Sequence, residues 1–237
     1  MALSLPLPAE PVRPPRSYLR PPAPLVFPTG KPVPEGADHK LKLYDLWLSV
    51  RRAYPEGCLT SSDQFLYFDP TDPKKCLAPD FAVRVGAKTE LLKSWKTWEK
   101  GAPHAACEIV SDWDRSTTRL KETLERYRRA GVLELVRLDP ENRTRPVRIW
   151  DAFSGDLVER DLDHPEALRC DALGLYWSVQ QDQKLGLTLR LSLTNEGGDI
   201  LPTPEEAERG AKEAALADRE AALARIAELE SALAQMR

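Results

Sequence analysis

Two acidic side chains stand where acids are expensive to place. Asp80 opens the run "PDFAVRVG", directly after Pro79, and Glu108 lies inside the nearly continuous apolar run "AACEIVS". Both runs read as β-strands, and a carboxylate in such a strand costs burial energy unless something pairs with it. Two carboxylates about 4 Å apart repel by roughly 4 kcal/mol at an effective dielectric near 20. A divalent cation between them removes that repulsion and gives the pair a chemical purpose. A plainer reading of each stays open. Asp80 would accept backbone N–H groups at a strand start, and Glu108 would be a buried acid paired with Arg84 or Arg119.

The elements that must position these acids follow from periodicity. In "PDFAVRVG", Phe81, Val83 and Val85 fall on one face, which leaves Asp80, Ala82 and Arg84 on the other. "AACEIVS" (105–111) has the near-continuous apolar character of a strand covered on both sides. Between them, "SWKTWEKGAP" forms a loop or short element carrying Trp95 and Trp98. A helix from about Ser116 to Ala130 stops at Gly131, a good C-terminal signal.

Upstream, Leu43, Leu46, Trp47 and Val50 recur at helical spacing within residues 35–54. Asp38 is placed to cap that helix, and His39 sits exposed in its first turn. "QFLYFD" (64–69) is β-like and "PTDPKK" makes a turn. Downstream, "VLELVRLDP" is a strand closed by Asp139-Pro140. "PVRIWDAF" and "DLVERDL" flank Ser154-Gly155 as a hairpin, and "ALGLYWSVQ" and "GLTLRLSL" add further β segments. Helix, strands, helix, strand in that order predicts an α/β domain with a mixed sheet.

Composition narrows the class. The 237 residues suffice for one sizeable domain with appendages, and 42% hydrophobic with 30% charged residues fits a globular protein with exposed arms. No apolar run approaches the roughly 18 residues of a membrane span, so no membrane partner is expected. Prolines from Pro6 onward break any signal-peptide pattern. Cys58, Cys76, Cys107 and Cys170 form no CxxC and read as reduced thiols of a cytoplasmic protein. His39, His104 and His164 have no metal-ligand spacing, which argues against zinc. The net charge of −3 argues against nucleic-acid binding by bulk charge, although residues 84–100 carry a local basic excess that could meet phosphate.

Three regions emerge. Residues 1–34 hold eleven of the 21 prolines and read as an extended arm. Residues 35–202 form the main domain. Residues 203–237 form a helix in which Ala222, Ile226, Leu229, Leu233 and Met236 trace about two heptads of coiled-coil seam. A homodimerising helix and a lone surface helix both fit that pattern.

The order of motifs resembles a known family. "YFDPTDPKKCLAPDFAVRVG", "SWKTWEKGAPHAACEIVS" and "LERYRRAGVLELVRLDPE", followed by "RIWDAFSGDLVERD", "GLYWSV" and "LPTPEEAER", look like the bacterial Uma-two family of restriction endonucleases. That family belongs to the PD-(D/E)XK nuclease superfamily. The resemblance covers roughly residues 34–208 and implies a restriction-endonuclease-like core: a mixed β-sheet flanked by helices, with an extra β-hairpin and a C-terminal helix. It further implies that Asp80, Glu108 and the backbone carbonyl of Ile109 bind Mg2+ or Mn2+, and that the substrate is DNA. A positioned lysine would then stabilise developing charge or orient the attacking water.

The lysine is where this chain departs. Val110 occupies the position two residues after Glu108. The family's alternative site, on the following helix four residues before the tyrosine, is Thr123 counted back from Tyr127. Lys121 is near, but two helical positions turn it about 200° away. Arg119 lies one turn before Thr123 and shares its face, so Lys121 or Arg119 is the candidate source of positive charge. Asp112 and Asp114 replace the family's Pro-Ser after Ser111; recruiting metal is one reading of them, and decorating a loop or capping the helix is the preferred one. Two outcomes are therefore carried forward: a metal-dependent endonuclease, and a nuclease fold without catalysis that acts in binding or assembly through its last helix.

Overall fold

The computed structural model describes Phe27 and residues 37–235, with the side chains of 37–40, 112, 113 and 165 outside that description. The expectations for the 1–34 arm, Phe27 apart, and for the side chains of Asp38 and His39 fall outside the described residues. Helix α1 (Ala37–Ala53) leads into β1 (Cys58–Ser61), β2 (Leu66–Tyr67), β3 (Cys76–Leu77) and β4 (Phe81–Val85). Then come β5 (Trp95–Lys96), the single turn α2 (Thr97–Lys100), β6 (Ala105–Ile109) and a 3-10 turn at Asp112–Arg115. Helix α3 (Thr117–Ala130) precedes β7 (Glu134–Leu138), β8 (Val147–Phe153) and β9 (Asp156–Glu159). The last elements are β10 (Arg169–Cys170), β11 (Leu175–Asp182), β12 (Gly186–Ser192) and α4 (Pro204–Gln235).

This is a mixed α/β fold built on a six-stranded sheet in the order β1-β4-β6-β7-β8-β9. Its β6–β7 pair is parallel and its other pairs are antiparallel. A parallel pair needs a crossover, and α3 supplies it. The mixed sheet with flanking helices, the β8–β9 hairpin and the C-terminal helix are the elements expected from the sequence.

Alternation gives the sheet two covered faces. Phe81, Val83, Ala105, Cys107, Ile109, Val136 and Ile149 join one core with Leu46 and Val50 of α1 and with Trp177, Leu189 and Leu191 of a second sheet, β10-β11-β12. Ala82, Ala106, Leu135 and Trp150 join the other core with Tyr127 and Ala130 of α3 and with the small sheet β3-β2-β5. The β11 and β12 segments thus pair with each other and with β10 rather than extending the main sheet. Periodicity marks a segment as β but leaves its partners to long-range packing. The run 64–69 yields only the two-residue β2, and β1 was not foreseen.

Two tethers hold the layers. Tyr54 donates its hydroxyl to the Leu173 carbonyl at 2.8 Å. Glu134 is buried at the start of β7 and accepts from Trp177 Nε1 at 2.6 Å and from Arg160 Nη2 at 2.9 Å. Such a buried acid is tolerated because both of its oxygens have donors.

Residues 202–237 form a separate unit. Thr203 Oγ1 accepts from the Glu206 N–H at 3.2 Å, and the Glu206 carboxylate accepts from the Thr203 N–H at 2.8 Å, a reciprocal capping box. Leu216, Leu223, Ile226, Leu229 and Leu233 of α4 are exposed.

Candidate active site

The register of β4 on β6 sets the geometry. Phe81 faces Cys107 and Ala82 faces Ala106. Carried one residue outward, the same antiparallel register sets Asp80 opposite Glu108, and opposite residues point to the same side. That side is the one covered by α3, shared with Ala82 and Ala106. The two acids therefore meet on one face of the sheet.

Asp80 is buried, and its Oδ2 accepts the Ile109 backbone N–H at 2.7 Å. The plainer reading of Asp80, a carboxylate accepting a backbone donor beside a strand, is thus realised, and one of its oxygens is fixed toward the end of β6. Ile109 itself turns its side chain into the opposite core. Its carbonyl is the group expected as a metal ligand.

Glu108 is half-buried, and the Tyr127 hydroxyl donates a short hydrogen bond to its Oε1. Burial, then the neighbouring Asp80 carboxylate, pushes the Glu108 carboxyl well above the usual carboxylate range. Tyr127 and Arg137 pull it partly back. Burial, then the Glu108 charge, holds the Tyr127 phenol well above its ordinary value, so it stays a donor. Glu108 pairs with neither Arg84 nor Arg119. Arg84 instead turns to the Ala102 carbonyl at 2.8 Å and lies 3.0 Å from His104 Nε2.

The expected cations on α3 both lie at its exposed surface. The helix is N-capped by Ser116, whose hydroxyl accepts the Arg119 N–H, and it buries only Tyr127 and Ala130. Lys121 is exposed. Arg119 is exposed and paired with Glu122 at 3.0 Å. With Asp114, Thr123 and Arg126, Arg119 and Glu122 line a polar cavity of about 300 Å³. Asp114 belongs to the 3-10 turn before α3 and accepts from Ser111 Oγ at 2.5 Å, so it shapes the cavity rather than capping the helix.

Arg137 went unnoticed in the sequence. It sits in β7 beside Glu108 in the parallel register, is 6% exposed, and donates Nη2 to the Asp114 carbonyl at 3.3 Å. Its strand was legible; its neighbour was not, because the pairing of β6 with β7 is set across the α3 crossover.

Among the described residues, no cluster of three or more His, Cys, Asp or Glu side chains is gathered as for a metal ion. Two facing carboxylates nevertheless suit Mg2+, which is held by one or two carboxylates and retains waters. Burial first, and the facing Asp80 charge second, raise the Glu108 carboxyl, and a bound cation would offset both by favouring the ionised form.

No family model matches the chain, and no curated protein matches it. A solved structure from Anabaena variabilis ATCC 29413, described as a "putative nuclease belonging to DUF820", is similar over 59% of this chain and 74% of that one, at 18% identity and a TM-score of 0.37.

Proposed function

We propose that the protein is a Mg2+-dependent endonuclease that hydrolyses DNA phosphodiester bonds. The observation that carries this reading is the meeting of Asp80 and Glu108 on one face of the sheet, at the end of adjacent strands. Asp80 and Glu108 would hold the ion through their carboxylates and Ile109 through its carbonyl. When bound, Mg2+ supplies charge neutralisation at the phosphate and acidifies water for attack on phosphorus. Tyr127 orients Glu108, and the Ile109 N–H orients Asp80, so both acids are fixed before any ligand arrives. Arg119, in the lining of the cavity, is the better of the two helix cations to meet the phosphate backbone; Lys121 lies on another side of α3.

A second reading rests on Thr123 and Val110, which leave both of the resemblance's lysine positions without a charge. In it the fold binds or assembles through α4 and does not cut. Incubating supercoiled DNA with the purified chain and Mg2+ or Mn2+ separates the two. Nicking that disappears in Asp80→Ala supports the nuclease. Undiminished cutting by that variant removes the assigned site, and no cutting under either metal leaves the binding reading.

A further inference from the structure

Arg137 occupies a position that favours an apolar side chain. Its strand neighbours Leu135, Val136 and Leu138 are fully buried, and burial pulls the guanidinium below its ordinary value. One of its donors, Nε, is enclosed and has no hydrogen-bond partner among the described residues. A buried arginine with an unmet donor carries a desolvation cost that is offset only where its charge compensates a buried acid, and removing it alone would leave that acid uncompensated. The charges around it say what it serves. Glu108 is the largest of those that favour its cationic form, and Asp114 is next. Arg148, the facing residue of β8, opposes it but is itself held by both oxygens of Glu159 at 2.6 and 2.8 Å. On this face, Asp80, Glu108 and Arg137 thus form a row across three adjacent strands, acid, acid, base.

We propose that Arg137 is a further positioning residue of this site: from the strand next to Glu108, its buried guanidinium supplies a fixed positive charge that steadies the Glu108 carboxylate beside Asp80 before a cation binds. This deepens the nuclease reading and rests on it for its purpose, but the arrangement of charge can be tested without any metal. The test is a double-mutant cycle in metal-free protein, pairing Arg137→Met with Glu108→Gln and reading the urea midpoint. Arg137→Met should lower the midpoint in the native background and lower it by less than about half as much when Glu108 is already Gln. Arg137→Lys should restore most of the difference. Equal loss in both backgrounds overturns the proposal, as does failure to fold in both, because either result makes Arg137 purely structural. Folding only in the Glu108→Gln background supports it. Where wild-type protein cuts DNA, Arg137→Met should also slow cutting by at least about tenfold, with Lys recovering most of it. Coupling in the cycle without DNA cutting by wild-type protein sinks the nuclease reading and leaves the role of Arg137 intact.

Discussion

Glu108 is withdrawn from water and crowded by a second acid, so its charged form is costly in the metal-free protein despite the Tyr127 donor. The sign of the pH effect follows. Its folded pKa is raised above the unfolded value near 4.3, so its contribution to stability is full below that value and is lost as pH rises through the folded pKa. Glu108→Gln removes the titration. Urea denaturation should find the variant more stable than wild type at pH 8 by about 1 kcal/mol, with the gap closing at pH 4. A variant no more stable at pH 8 than at pH 4, relative to wild type, would show that the carboxylate is not strained. The period of two made the face of Asp80, shared with Ala82 and Arg84, legible in the sequence, whereas the placing of Glu108 on that same face required the β4–β6 register. Tyr127 was legible only as a spacing marker, and its hydroxyl as the donor to Glu108 required the height of α3 above the sheet. Arg137 was hidden for a related reason: its parity with Glu108 depends on how far the chain travels through α3 before it pairs again.

At the scale of elements, α3 decides that distance, and its end is set by Gly131 in the left-handed region at φ 76°, whose N–H closes on the carbonyls of Arg128 and Tyr127. A Cβ there would also stand 3.3 Å from that of Ala102. Gly131→Ala should therefore destabilise the fold by about 1–2 kcal/mol, read as a lowered melting temperature. It should weaken Mn2+ binding as well, measured by calorimetry, since the shift would carry Tyr127 away from Glu108. This helix was readable because its stop signal is local: a glycine directly after Ala130, closing a last turn that carries Arg128 and Arg129. The hairpin of β8 and β9 was readable for the same reason, its turn at Ser154 and Gly155 having positive φ at both residues. The short β2 and the unforeseen β1 belong to pairings between distant segments, and no local chemistry announces them.

At the scale of the whole molecule, residues up to Leu201 and the unit beginning at Pro202 are separate bodies, and α4 buries none of its residues. Deleting 204–237 should leave the urea-unfolding free energy of the remaining chain within about 0.5 kcal/mol, as expected for groups without buried contacts. Light scattering on the same pair of proteins reports whether the exposed apolar stripe of α4 holds two copies together. A lowered mass on deletion favours the dimerising helix, and an unchanged monomer favours a solitary one. Inside the larger body, one residue stitches distant parts. Arg160 gives its nitrogens to Glu134 of β7, Asp151 of β8, and the Ala167 and Arg169 carbonyls beside the second sheet. Those bonds tie the outer rim of the main sheet, just past β9, to β10 of the second sheet. Whatever presses against the β8–β9 edge is resisted by both sheets at once.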